Sequence, residues 1–226
     1  MTSIRHNRSD ADTVLDAVRD CVLAVGVRRT TLADVARRAG VSRMTLYRRW
    51  PDLQALVGDL MTREWLAVAA RAMPPGTGGP QETGDREGTG DPKATGGADG
   101  TPATGGPDAR TRIVDGLVTG VAAFRAHPLF RKIVDVDPEL LLPYVLDRRG
   151  ASQEALLGLL GDALREGHAD GSVRVTHTGR QARSVLLTVQ SFALSLRTMT
   201  DEDDPELDTG AFLGELRTLL ERTLTP

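Results

Sequence analysis

Seven arginines, at positions 28, 29, 37, 38, 43, 48 and 49, face a single acid, Asp34, between residues 28 and 50. Seven minus one leaves this stretch at +6 inside a chain of net charge -3. Guanidinium groups so concentrated suit a surface for a polyanion, and charge alone allows equally a solvated face on a small helical domain. The residue types from 42 to 48, Ser-Arg-Met-Thr-Leu-Tyr-Arg, are more specific than the charge. Arg43 can pair bidentately with a guanine edge, and Met44 can lie against a thymine methyl.

Two short helices and a tight turn would hold these groups. Thr31 suits an N-cap, with Asp34 three residues on where a carboxylate reaches the exposed N–H groups. Leu32, Val35, Ala36 and Ala39 follow helical spacing. Gly40 can take the left-handed conformation that stops a helix, and Ser42 can cap the next one. In that second helix Val41 and Leu46 are expected to point inward, leaving Arg43, Met44, Tyr47 and Arg48 outward. This is a helix-turn-helix, whose second helix enters the major groove of DNA.

The ordered set Thr31, Val35, Ala36, Ala39, Gly40, Val41, Ser42, Thr45, Leu46, Tyr47, Trp50 and Leu56 resembles the N-terminal domain of the tetracycline-repressor (TetR) family of bacterial transcription regulators. The resemblance covers residues 10–60; beyond them only size and helical character agree. It implies that Thr31, Thr45, Tyr47 and Arg48 hold phosphates, with Ser42, Arg43 and Met44 completing the DNA face. One position departs from the family pattern. A phosphate-binding lysine commonly follows the cap of the fourth helix there, and this chain has Leu53.

The predicted fold is all-α: an N-terminal three-helix helix-turn-helix domain and a C-terminal helical domain for ligand binding and dimerisation. Residues 1–9 read as a disordered arm, 10–52 as the DNA-binding domain, and 53–73 as a connecting helix capped by Asp52. Residues 74–108 hold 11 glycines and 6 prolines in 35 positions and read as a flexible insertion. Residues 109–226 make the regulatory and dimerisation domain. Its helices are marked by Ile113–Leu117–Val121–Phe124, a short turn at 129–134, a helix opened by Pro138, a leucine run at 156–164, a helix at 178–198, and a last helix through Leu224.

Several classes are disfavoured. No apolar run approaches the ~20 residues that cross a bilayer, and residues 1–10 have no signal-peptide core, so a cytoplasmic protein without membrane contact is expected. The single Cys21 excludes an internal disulfide and sits among apolar helix positions. His6, His127, His168 and His177 lack metal-ligand spacing, and no nucleophile elbow is present. Neither cofactor nor metal is expected, and catalysis has little support.

Arg125, His127, Tyr144 and Gln190 are the candidate effector contacts, with Arg131, Ser191 and Ser195 as further polar groups spread over the helical domain. The last two long helices are unusually apolar, which either a larger core within the chain or a partner could use; the resemblance implies a four-helix dimer interface, with Val185, Val189, Phe192, Leu216 and Leu220 as its candidates. The reading is a homodimeric, sequence-specific DNA-binding regulator, a repressor of a palindromic operator in double-stranded DNA, released by an unknown small molecule. The alternative is a helical small-molecule-binding or interaction protein without specific DNA binding.

Overall fold

The computed structural model describes residues 3–73 and 106–226. All regular structure among them is helical: α1 (Ser3–Val25), α2 (Leu32–Ala39), α3 (Arg43–Arg49), α4 (Leu53–Ala72), α5 (Ala109–Ala126), α6 (Pro128–Val136), α7 (Leu142–Leu146), α8 (Ala151–Ala169), α9 (Thr178–Ser195) and α10 (Thr209–Leu224). Single 3-10 turns occupy Pro138–Leu140 and Leu196–Thr198. Residues 74–105, most of the expected flexible insertion, lie outside the described residues. Its last position is a helix cap: the Asp108 carboxylate accepts the N–H of Thr111 at 2.8 Å, and that residue's N–H and hydroxyl hold the Asp108 carboxyl below the usual carboxylate range.

Three expectations change. α1 starts at Ser3, so residues 3–9 continue the helix where a disordered arm was expected; they contain neither Gly nor Pro to stop it. The turn expected at 129–134 is a nine-residue helix, with Pro128 preset for its first position. The helix expected from Pro138 instead breaks into a 3-10 turn and the five-residue α7. Pro143, lacking an N–H, cannot continue the hydrogen-bond ladder of a helix begun five residues earlier.

Two apolar clusters hold the molecule together. The first packs Val14, Val18 and Val22 of α1 against Val35, Leu46, Trp50, Leu56 and Leu60, and it continues into Leu129, Phe130 and Ile133 of α6. The head is therefore not a separate bead, because α6 completes its core. The second joins Ile113 and Val121 of α5 to Leu160 and Leu164 of α8, Val185 of α9, and Leu216, Leu220 and Leu224 of α10. Cys21 is buried in the first cluster, and that burial pushes its thiol up from the ordinary range.

Head and body also meet through a polar clasp. α1 ends at Gly26, whose φ of +86° is open to glycine and strained for other residues. The turn this allows brings the Val27 N–H to the buried Asp137 carboxylate at 2.7 Å, and Arg28 Nε lies 3.8 Å from Asp137 and 2.7 Å from Glu139. A Cβ at position 26 would come within 2.8 Å of Asp137 Oδ2 and 2.9 Å of Val136 Cγ1. Gly26→Ala should thus combine backbone strain with a clash at the clasp, costing about 1–3 kcal/mol in a urea melt followed by circular dichroism. Gly40→Ala, also at positive φ but in open space, should cost less.

Candidate nucleic-acid interface and ligand cavity

The two helices of the motif are set by their caps. Thr31 Oγ1 accepts the Asp34 N–H at 3.2 Å, and Gly40, at φ +68°, closes α2. Ser42 Oγ accepts the Thr45 N–H at 3.1 Å and shares a 2.9 Å hydrogen bond with the Thr45 hydroxyl. Leu46 is fully buried and pins the inner face of α3. Its outer face carries Arg43, Met44, Tyr47 and Arg48, with Met44 77% and Tyr47 52% exposed. The exposed apolar thioether is the notable member, since nothing among the described residues covers it. At the end of α3, Trp50 donates its indole N–H to Asp59 at 2.8 Å, tying the outward face to α4.

The arginines divide into two groups. Arg28 belongs to the clasp, Arg37 pairs with Asp34 at 2.7 Å, and Arg38 pairs with Asp20 at 3.1 Å. Arg29, Arg43, Arg48 and Arg49 make no ion pair among the described residues, and Arg49 lies over the Trp50 ring at 4.9 Å. The charge open to phosphates is therefore smaller than the sequence count, and it centres on α3. Thr31 is also more committed than expected. Its hydroxyl donates to Asp34 at 2.6 Å, and this bond, followed by Arg37, holds the Asp34 carboxyl below the usual carboxylate range. Leu53 packs against the head core.

A cavity of about 610 Å³ runs along α4, within the range that accepts a small organic ligand. Its walls are mostly apolar: Met61, Trp65 and Val68 of α4, Leu117 and Phe124 of α5, Leu156 and Leu160 of α8, and Leu186 and Val189 of α9. Of the four candidate effector residues, Tyr144 and Gln190 line it. Arg125 and His127 do not. His127 Nε2 lies 3.3 Å from Glu64, which Arg19 approaches at 3.5 Å, and burial pushes the imidazole below its ordinary range. His127 is a joint between α1, α4 and α5, and the backbone oxygen of Arg125 accepts from Arg131 Nε at 3.2 Å. Ser191 and Ser195 point to the exterior. Sequence reasoning passed over Gln153, which bridges Tyr144 and Gln190, and Asp137; each acts through partners distant in the chain.

The proposed dimer residues need correction. Val185 and Leu220 are 2% exposed and Leu216 is fully buried, all inside the second cluster, while Val189 and Phe192 pack against it. Val185, Leu216 and Leu220 fill the chain's own core, because α5 lies against α9 and α10, and α8 against α9, on the faces assigned to a partner. The apolar groups those helices leave outside are Leu187, 71% exposed, and Leu219, 41% exposed.

Residues 14–60 match the family of bacterial regulatory proteins described as tetR family. Over 217 residues the chain is 32% identical to an uncharacterized HTH-type transcriptional regulator of Mycobacterium tuberculosis strain H37Rv, covering 96% of this chain and 95% of that one. The chain belongs to the TetR family. Over 51 residues, covering 22% of this chain and 25% of the relative, the regulator is also 49% identical to the HTH-type transcriptional regulator AqdR of Rhodococcus erythropolis. Its fold matches that of the R. erythropolis TetR-family repressor QsdR with a TM-score of 0.63 at 13% identity, over 97% of both chains. The fatty acid degradation regulator FadR of Bacillus halodurans aligns over 94% of both chains with a TM-score of 0.54 at 15% identity. The regulator is thus a DNA-binding transcription factor and not an enzyme, and proteins of its family typically act as dimers with small-molecule effectors.

The division of the arginines predicts unequal salt effects on DNA binding. Arg48→Ala should lower the slope of log affinity against log salt by about 1 per half-site, as loss of one phosphate contact in each does. Arg37→Ala, whose guanidinium is already paired with Asp34, should change that slope much less. Fluorescence anisotropy with a labelled duplex across a salt series measures both.

Proposed function

We propose that this regulator is a homodimeric repressor that reads a palindromic operator with α3 and leaves it when a small molecule fills the cavity along α4. One observation carries the reading: α4 takes part in both places. Asp59 near its start accepts the Trp50 indole at the end of α3, and Asp59, Met61, Trp65 and Val68 line the cavity. A ligand that displaces α4 therefore displaces α3.

On the DNA face, Arg43 reads a base edge and Met44 covers a thymine methyl, while Thr45, Tyr47 and Arg48 hold phosphates beside Ser42 and Thr31 at the helix starts. Two copies are needed because one recognition helix reads too few bases for useful specificity, and two-fold symmetry matches a palindrome. The partner docks on the outer faces of α9 and α10 around Leu187 and Leu219. Tyr144 and Gln190 are the polar contacts of the effector.

Selection of bound fragments from genomic DNA should return a palindrome; recovery of unrelated sequences in proportion to their length would favour non-specific binding. On that operator Arg43→Ala should cost about 1–3 kcal/mol and relax preference at one position per half-site, whereas Tyr47→Phe should weaken all sequences evenly. An unchanged ranking of operator variants would remove Arg43 from the reading role.

The dimer face has its own test. Leu187→Glu should give a folded monomer with weak operator binding, since it charges a surface residue. Leu220→Glu should lower the melting temperature sharply, because it buries a charge in the chain's own core. Sedimentation velocity together with thermal melts separates the two, and a monomeric parent at micromolar concentration would end the two-fold scheme.

A further inference from the structure

The few polar groups on the cavity wall have hydrogen-bond directions set by backbone atoms. The N–H of Gly150 can only donate, and it donates to Gln153 Oε1 at 2.9 Å. The amide nitrogen of Gln153 is thereby turned the other way, where it donates to the Tyr144 carbonyl at 3.1 Å and to Gln190 Oε1 at 2.8 Å. Both of its N–H groups are then used. This in turn orients Gln190, whose oxygen faces Gln153. Its nitrogen, with no partner among the described residues, keeps two unspent N–H donors on a residue of the cavity wall.

The charged lining residues, Asp52, Asp59, Arg148 and Arg149, are all exposed to solvent. Asp52 accepts the Ala55 N–H at 2.7 Å, Asp59 accepts the Trp50 indole, and Arg149 pairs with Glu154 at 2.5 Å. Arg148 makes no ion pair among the described residues and lies over the Tyr144 ring at 5.7 Å. Of the half-buried polar groups on the wall, the Gln190 amide nitrogen has no partner among the described residues and can only donate, whereas the Tyr144 and Ser152 hydroxyls can donate or accept.

We infer that the cavity takes an extended apolar molecule whose polar end is a hydrogen-bond acceptor, a carboxylate or a carbonyl, and discriminates against the same chain ending in an ammonium group. The inference rests on reading the cavity as the effector site. An acceptor satisfies the Gln190 donors as it leaves water. An ammonium end is itself a donor, so the Gln190 N–H groups would be left unpaired beside it.

The test is titration calorimetry of the full-length protein with dodecanoate, methyl dodecanoate and dodecylammonium below their micelle concentrations, alongside release of a bound operator in a gel shift. The two acceptors should bind, and the ammonium should bind at least about tenfold more weakly. Gln190→Leu should weaken both acceptors by about tenfold, and Gln190→Glu should shift preference towards the ammonium. The ligand series on the parent decides the matter even where a variant melts early. Equal binding of all three chains, or no binding by either acceptor, overturns the inference. Acceptor-selective binding without operator release supports the acceptor assignment and removes the effector reading. Operator release by all three chains alike does the reverse.

Discussion

A single buried carboxylate sets how the head of this regulator meets its body. Asp137 is 1% exposed, and an unpaired charge at that depth would be strongly unfavourable. It is tolerated because the chain turns at Gly26 and brings the Val27 N–H to it, with the Arg28 guanidinium nearby. The turn places α2 relative to α1, and α2 places α3. The direction in which Arg43, Met44 and Tyr47 face is thus set partly by a residue at the far end of α6, 110 positions along the chain from Val27.

α4 carries the complementary link. One side of it joins the head core through Leu56 and Leu60, and another lines the cavity. At its middle, Trp65 packs against Phe124 with ring centroids 4.4 Å apart and against Phe130 at 6.3 Å, and Glu64 gathers Arg19, Arg63 and His127. Half-buried ion pairs of this kind contribute little net stability but disfavour misalignment, since a displaced partner leaves a desolvated charge behind. Apolar packing supplies cohesion at this seam, and the polar groups supply its register.

The head was largely legible from the sequence because its determinants are local. Thr31, Ser42 and Asp52 each accept a backbone N–H three residues on, and Gly40 adopts the left-handed turn that ends α2. The spacing that exposes Arg43 and buries Leu46 follows directly from helical period. The body was legible as helices and not as partners. Periodicity says that Val185, Leu216 and Leu220 face something apolar; it does not distinguish the chain's own α5 and α8 from a second copy. His127 looked like a ligand contact because its charge state and its partner Glu64, 63 positions away in the sequence, cannot be read locally. The arginine count misled in the same way, as the acids that neutralise Arg28 and Arg38 lie outside the counted stretch.

The scarcity of aromatic residues has an optical consequence. The two tryptophans sit at the two places that the proposed mechanism couples: Trp50 at the end of α3 with its indole bound to Asp59, and Trp65 on the cavity wall with the His127 ring edge-on at 5.3 Å. Both are buried, so both emit from shielded surroundings. Replacing either with phenylalanine leaves a single tryptophan, one variant reporting on the DNA-binding head and the other on the cavity. The two variants thereby carry separate probes of the head and the cavity, and the order in which their emission changes after mixing with a ligand gives the direction in which movement travels between them.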